Sequence, residues 1–405
     1  MERAELTRLL GAAAVTGEAR DVFIGESEPA RFMAAFAQAV AGDKNVFLCD
    51  PLWGKNEREQ LAQLAKSEIL NLKSEIKRGW LMIPSGGTGG RLKFARHDQD
   101  TLRAAVEGFS AHFKVPRLNA VGVLPLHHVS GLMAWMRCAL TGGRFLPSSW
   151  PELEAGRCPV LAGDGEWFLS LVPTQLQRLL AQPQTVIWLR QFRAVFLGGG
   201  PAWPELLERA AAARIPLAPS YGMTETAAMV AAMQPEEFLS GSRSSGAALP
   251  HARIDVTGEG GALRIAGESV FRGYFPGWRA ERDFTTEDFG FIDGHGHVQV
   301  TGRRDDIIIT GGKKVQPAEV EAALRATGEF DDVAVIGVPD AEWGETVVVC
   351  YPVTARAPDL VRVARALAAQ LAAPARPKRY VAVVEWPRNA QGKLNRVLLA
   401  EKMRT

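Results

Sequence analysis

The chain has 405 residues, 47% of them hydrophobic and 23% charged, an ordinary globular composition at a length where one hydrophobic core stops growing and two domains are expected. Lys and Arg number 47 against 45 Asp and Glu, a formal net charge of +2 without a long block of either sign, so nucleic acid is not an expected partner and no tail is built for a membrane surface. Cys49, Cys138, Cys158 and Cys350 are scattered, without zinc-site spacing, and read as buried, reduced thiols of a cytoplasmic protein.

Glu2, Arg3, Glu5 and Arg8 precede any apolar run, and nowhere do 18 apolar residues follow one another; neither a signal peptide nor a membrane span is expected. Up to about residue 79 the chain reads as mostly helical, with apolar residues at helical spacing in Arg31 to Val40 and Glu57 to Ile76. From Trp80 short apolar runs alternate with glycine-rich loops and amphipathic segments, the pattern of a parallel sheet with crossover helices. The clearest unit is strand Arg193 to Leu197, loop Gly198-Gly199-Gly200-Pro201, helix Pro204 to Ala213 and strand Ile215 to Ala218. Between Gly246 and Val300 the segments shorten and glycines multiply, which predicts small antiparallel strands. Beyond Arg303, Asp305 to Thr310, Val333 to Val338 and Thr346 to Pro352 read as strands, and Pro317 to Arg325 and Leu360 to Leu371 as helices. The expected fold is α/β. A large N-terminal domain, residues 1–303, holds parallel sheets with crossover helices and a small β-barrel-like region, and a small α+β domain, residues 304–405, follows.

In open parallel sheets, ligands collect at the C-terminal ends of the strands, and four segments carry chemistry. The loop Ser85-Gly86-Gly87-Thr88-Gly89-Gly90-Arg91-Leu92-Lys93 offers hydroxyls, free N–H groups and two cations, the parts of a phosphate cradle. It fits neither a Walker A loop nor a Rossmann fingerprint, and a plain glycine loop is the other reading. Tyr221-Gly222-Met223-Thr224-Glu225 combines an aromatic face, a hydroxyl and a carboxylate, which suit adenine, an α-phosphate and Mg²⁺; the same residues also suit a capped helix start. Asp288 and Arg303 have the groups to take ribose hydroxyls and phosphate, although their surroundings also read as two turns about a strand. Lys393, in Gln391-Gly392-Lys393-Leu394, taken alone reads as solvated surface.

In this order the four segments, spanning Ile83 to Arg396, resemble the adenylate-forming superfamily of acyl-CoA ligases, peptide-synthetase adenylation domains and luciferases. The resemblance implies that Ser85 to Lys93 wraps the pyrophosphate and that Tyr221, Gly222, Met223, Thr224 and Glu225 hold adenine, α-phosphate and Mg²⁺. It further implies that Asp288 and Arg303 take the ribose, and that Lys393 bridges carboxylate and phosphate as the catalytic cation. The implied substrates are ATP, a small carboxylic acid and coenzyme A, and Asp305 matches the position at which the C-terminal domain swings between half-reactions. Three departures stand out: Gly90-Arg91-Leu92-Lys93 replaces the usual Lys-Pro-Lys-Gly, Glu287 replaces the glycine before the ribose carboxylate, and the region before Ser85 is short for the family. Within the superfamily, Leu124-Pro125-Leu126-His127-His128-Val129-Ser130-Gly131-Leu132 and Leu197-Gly198-Gly199-Gly200-Pro201 resemble the o-succinylbenzoate–CoA ligases of menaquinone and phylloquinone synthesis. That implies His128 and Ser130 at the acid pocket, with Gly199, Gly200 and Pro201 along nucleotide and substrate. His127 and His128 as caps of a core segment is the alternative, and no histidine reads as a metal ligand. A ligase for another acid, a silent AMP-binding regulator and a homo-oligomeric assembly all stay open.

Overall fold

Four sheets follow one another along the chain. The computed structural model describes residues 1–11, 21–68, 79–86, 92–258, 260–354, 357–388 and 394–404. The first sheet has the order β1 (Asp21–Ile24), β2 (Asn45–Leu48), β3 (Leu81–Gly86) and β4 (Leu92–His97), parallel except for the last pair. The start is mostly helical as expected, with α1 (Arg3–Leu9), α2 (Pro29–Ala41) and α3 (Lys55–Glu68), but sequence reading did not show the two strands that share this stretch. The reason is burial. All four residues of β2 are buried, and a parallel strand covered on both faces shows no alternation that would mark it as a strand. α2 begins where the Glu28 carboxylate accepts the N–H groups of Ala30 and Arg31 at 2.9 and 2.8 Å, with Pro29 at its first position. It buries Phe32, Phe36 and Val40, side chains worth about 1.5–3 kcal/mol each when removed from water.

The second sheet runs β11 (Ala247–Ala248), β10 (Ala228–Ala232), β9 (Leu217–Met223), β8 (Ala194–Leu197), β7 (Trp167–Leu171), β5 (Asn119–Gly122), β6 (Phe145–Pro147). Strands β5 to β9 pair in parallel, as the crossover pattern predicts. Between the first two sheets lie α4 (Gln99–Phe113) and α5 (Val129–Thr141). Leu102 and Val106 of α4 join the core under the first sheet, while Phe109 and Phe113 pack on Phe168 and Phe196 of β7 and β8. α5 buries every residue from Gly131 to Cys138, as a helix covered on all sides must. β9 extends five residues beyond the expected strand, so Tyr221, Gly222 and Met223 are strand residues, and the anticipated helix start is a single 3₁₀ turn, Thr224–Thr226. β10 then returns antiparallel so closely that a Cβ on Gly222 would lie 2.0 Å from the Ala228 carbonyl oxygen; only glycine fits.

The third sheet, β12 (Ala252–Thr257), β13 (Ala262–Gly267), β14 (Asp283–Ile292) and β15 (Val298–Arg303), is antiparallel throughout. Single bridges, Ala95 to Tyr274 and Ala247 to His297, tie this region to the first two sheets. The fourth sheet contains β16 (Ile308–Thr310), β17 (Lys313–Val315), β18 (Ala334–Asp340), β19 (Gly344–Pro352) and β20 (Arg379–Val383). Helices Pro317–Ala326 and Leu360–Gln370 pack against it. No hydrophobic cluster among the described residues draws members from both sides of Arg303. None of the described helices is long and apolar enough to cross a membrane. All four cysteines are free, and Cys158, unlike the other three, is only partly buried.

Candidate active site

β3 and β4 form an antiparallel hairpin in which Ser85 pairs with Lys93 and Gly86 with Leu92. Ser85, Gly86, Leu92 and Lys93 of the expected cradle are thus strand residues; Gly87, Thr88, Gly89, Gly90 and Arg91 lie outside the described residues. Ser85 donates its hydroxyl to Glu225 Oε1 at 2.6 Å, and the Tyr274 hydroxyl donates to the same oxygen at 2.7 Å. Glu225 is 6% exposed. Two hydroxyls fix one carboxylate oxygen and leave the other, Oε2, without a donor among the described residues. Tyr274 resists ionisation, first through burial and then through the Glu225 charge. Lys93 Nζ stands 5.4 Å from the centre of the Tyr274 ring.

The turn that presents Thr224 and Glu225 is held from β4. His97, fully buried, lies 2.7 Å by Nε2 from the Thr224 carbonyl oxygen and 3.1 Å by Nδ1 from Thr101 Oγ1. A carbonyl only accepts, so Nε2 carries the proton. Burial pushes the imidazole down to about 4, and it stays neutral at pH 7.

A second group assembles across β9, β14 and β15. Asp288 and Arg303 are cross-strand partners, and Arg303 Nη1 donates to Asp288 Oδ1 at 3.1 Å while the Tyr221 hydroxyl donates to Oδ2 at 2.7 Å. Arg303 also donates from Nε and Nη2 to the two oxygens of Asp305, at 3.0 and 3.2 Å. One guanidinium thus spans the carboxylate on β14 and the carboxylate in the turn beyond β15. The Tyr221 ring is buried among Val230, Ile254 and Leu263, and its hydroxyl resists ionisation through burial and the Asp288 charge.

Gly199, Gly200 and Pro201 leave the C-terminal end of β8, whose Leu197 is in register with Pro219 of β9; Gly199 has φ +77°, a conformation that favours glycine. His128 stands at the N-cap of α5 with Ser130 in the first turn, and no side-chain cap bond is made. Burial pushes His128 down to about 4. Lys393 lies outside the described residues. Sequence reading missed Tyr274 and His97, which reach Glu225 and Thr224 from distant parts of the chain; only Gly273, with φ +98°, marks a turn beside Tyr274.

Residues 35–275 match the family of AMP-binding enzymes, and residues 319–393 match the AMP-binding enzyme C-terminal domain. The chain belongs to the AMP-binding enzyme family. Among its curated relatives, the 2-succinylbenzoate–CoA ligase of Oceanobacillus iheyensis is 31% identical over 84% of this chain and 73% of its own length. Those of Geobacillus kaustophilus and Listeria monocytogenes are 32% and 33% identical, over 76% and 69% of this chain. This chain spans 62% and 60% of their lengths. Among solved structures, o-succinylbenzoate CoA synthetase from Bacillus subtilis, in complex with the acyl-adenylate intermediate, superposes with a TM-score of 0.69 and 25% identity, covering 82% of this chain and 70% of that one. ATP-bound MatB from Rhodopseudomonas palustris superposes with a TM-score of 0.77 over 99% of this chain and 91% of its own. At 22% identity, that likeness is one of fold.

Proposed function

We propose that this AMP-binding enzyme is an ATP-dependent acid–CoA ligase that forms an acyl-adenylate and then a thioester, and that its acid is 2-succinylbenzoate. The observation that carries the reading is sustained identity to 2-succinylbenzoate–CoA ligases, 31% over 84% of the chain. The pairing of Ser85 with Glu225 and of Asp288 with Arg303 supports it. The reading divides the protein at residues 303/304 and puts it in the cytoplasm; clusters that do not cross Arg303 support the first, and four free thiols the second.

In the first half-reaction the carboxylate attacks the α-phosphate in line and pyrophosphate leaves, so two anions must approach each other. Lys393 supplies a cation that stays charged at pH 7 and reaches both at once. Thr224 and the glycines between Ser85 and Lys93 offer donors to the phosphates, Ser85 orients Glu225, and Asp288 with Arg303 receives the ribose. The oxygen donors around Glu225 suit a hard cation, and Mg²⁺ held there with the triphosphate would neutralise part of its charge. His97 and Tyr274 hold the Thr224 carbonyl and the Glu225 carboxylate in place. His128 and Ser130 line the acid side.

ATP–pyrophosphate exchange, run with 2-succinylbenzoate, benzoates and short and long fatty acids, tests the reading. The highest kcat/KM is expected with 2-succinylbenzoate, and a fatty acid in first place would overturn the choice of acid. In the same assay Lys393→Ala is expected to lose about 10² to 10³ in rate, while still converting supplied acyl-adenylate and CoA to thioester. Undiminished exchange in that variant would remove Lys393 from the mechanism.

A further inference from the structure

Beside the nucleotide-binding residues, and including His128 of the proposed acid side, one set of side chains among the described residues converges on a common point. Asp50 follows β2, and His127 and His128 precede α5. Asp50 Oδ1 lies 3.5 Å from His127 Nε2, and Oδ2 lies 3.9 Å from His128 Nε2. One donor atom from each of the three residues lies within 4.8 Å of the other two. The His127 side chain is 6% exposed and that of Asp50 11%, and neither histidine Nε2 has a hydrogen-bond partner among the described residues. Leaving a buried polar nitrogen unpaired costs about 1–3 kcal/mol, and here two such nitrogens face the same carboxylate. At these separations they are too far for good hydrogen bonds to it. They lie close to, and slightly beyond, the spacing of ligands around an ion. Zinc bonds of about 2.0–2.1 Å at tetrahedral angles set ligand atoms roughly 3.4 Å apart. The carboxylate is already oriented, since Asp50 Oδ1 accepts the Leu52 N–H at 2.8 Å.

We infer that Asp50, His127 and His128 bind one divalent transition-metal ion of the zinc class through two imidazole nitrogens and a carboxylate, with a fourth position for water or another oxygen ligand. Two nitrogen donors select Zn²⁺ or Co²⁺ over Mg²⁺, which separates this site from the all-oxygen surroundings of Glu225. Read along the chain alone, adjacent histidines do not signal a metal ligand pair, because the third donor comes from the segment after β2; the inferred site departs from that expectation.

The test uses the full chain, stripped of metal with EDTA, desalted and titrated with Co²⁺ and then Zn²⁺. One equivalent of Co²⁺ per chain is expected, with the intense visible absorption of a four-coordinate ion, displaced by Zn²⁺ and untouched by excess Mg²⁺. Asp50→Asn and His127→Gln should each weaken Co²⁺ binding at least about tenfold, whereas His295→Gln, at an exposed turn, should leave it unchanged. Circular dichroism checks that the variants fold, and the wild-type stoichiometry stands as a test without them. Failure of the wild-type protein to bind a stoichiometric ion would overturn the inference, as would equal affinity in folded Asp50→Asn and His127→Gln. Because binding is the readout, neither result depends on which acid the enzyme activates.

Discussion

Glu225 is held through one carboxylate oxygen by two hydroxyls, and on the proposed reading the other oxygen takes a cation. A carboxylate that is 6% exposed must be compensated, and Ser85 and Tyr274 compensate only one of its oxygens. Glu225→Gln keeps an acceptor for both hydroxyls but removes the charge. On the proposed reading it lowers ATP–pyrophosphate exchange by about 10² to 10³, or ~3 to 4 kcal/mol, and raises the Mg²⁺ concentration needed for half-maximal rate. Ser85→Ala removes a neutral donor, worth about 1 kcal/mol net, and should have a much smaller effect. Thermal unfolding checks that both variants stay folded, and wild-type exchange in folded Glu225→Gln would exclude a metal-binding role. Glu225 was legible in the sequence because a hydroxyl, an aromatic ring and a carboxylate sit within five residues. Tyr274 was not, because its contact with Glu225 is made by the return of the chain before β14, which no local spacing encodes.

At the scale of elements, α4 is fixed at its start by a buried ion pair. Asp98 caps the helix, accepting the Thr101 N–H at 3.0 Å, and receives Arg272 Nε at 2.9 Å. Both side chains are at most 4% exposed. Burial alone would raise the Asp98 carboxyl, but the Arg272 guanidinium overrides it and holds the group below its usual range. Asp98→Asn retains a capping oxygen yet strands the Arg272 charge, so a loss of about 3–5 kcal/mol is expected in urea unfolding. Asp98→Asn combined with Arg272→Met should lose less than Asp98→Asn alone, since no unpaired charge remains; a double variant as unstable as the sum of the singles would show that the pair is not the cause. Elements with one exposed face were readable from pattern: the helix expected at Leu360 to Leu371 is found at Leu360–Gln370. β2 was not, because a short strand buried throughout leaves the same apolar run as part of a helix, and β1 is a four-residue edge strand too short to show an alternation.

Across the whole molecule, Arg303 to Asp306 lead from β15 toward β16, and the proposed reading puts the hinge there. The halves do not share a hydrophobic cluster among the described residues. Contacts between them include a 3.3 Å hydrogen bond from Gln177 Nε2 to the Asp331 carbonyl and the Arg325 guanidinium over the Trp203 ring at 4.8 Å. Contacts of this kind, one hydrogen bond at the surface and one guanidinium on an indole, are the kind that domains can leave and remake. Arg303 holds Asp288 and Asp305 together, so the group assigned to ribose is joined to the turn about which the C-terminal half would swing. Proline at 305 fixes φ near −65° and also removes the carboxylate; alanine removes the carboxylate alone. On the proposed reading Asp305→Ala therefore keeps both half-reactions. Asp305→Pro keeps exchange within about tenfold of wild type but loses thioester formation from supplied acyl-adenylate, because only the second step needs the backbone to turn. Rapid-quench measurement of the two steps separates these outcomes. If both steps fell equally in Asp305→Pro, or if Asp305→Ala lost the second step as fully, rotation about this turn would not be what divides the reaction.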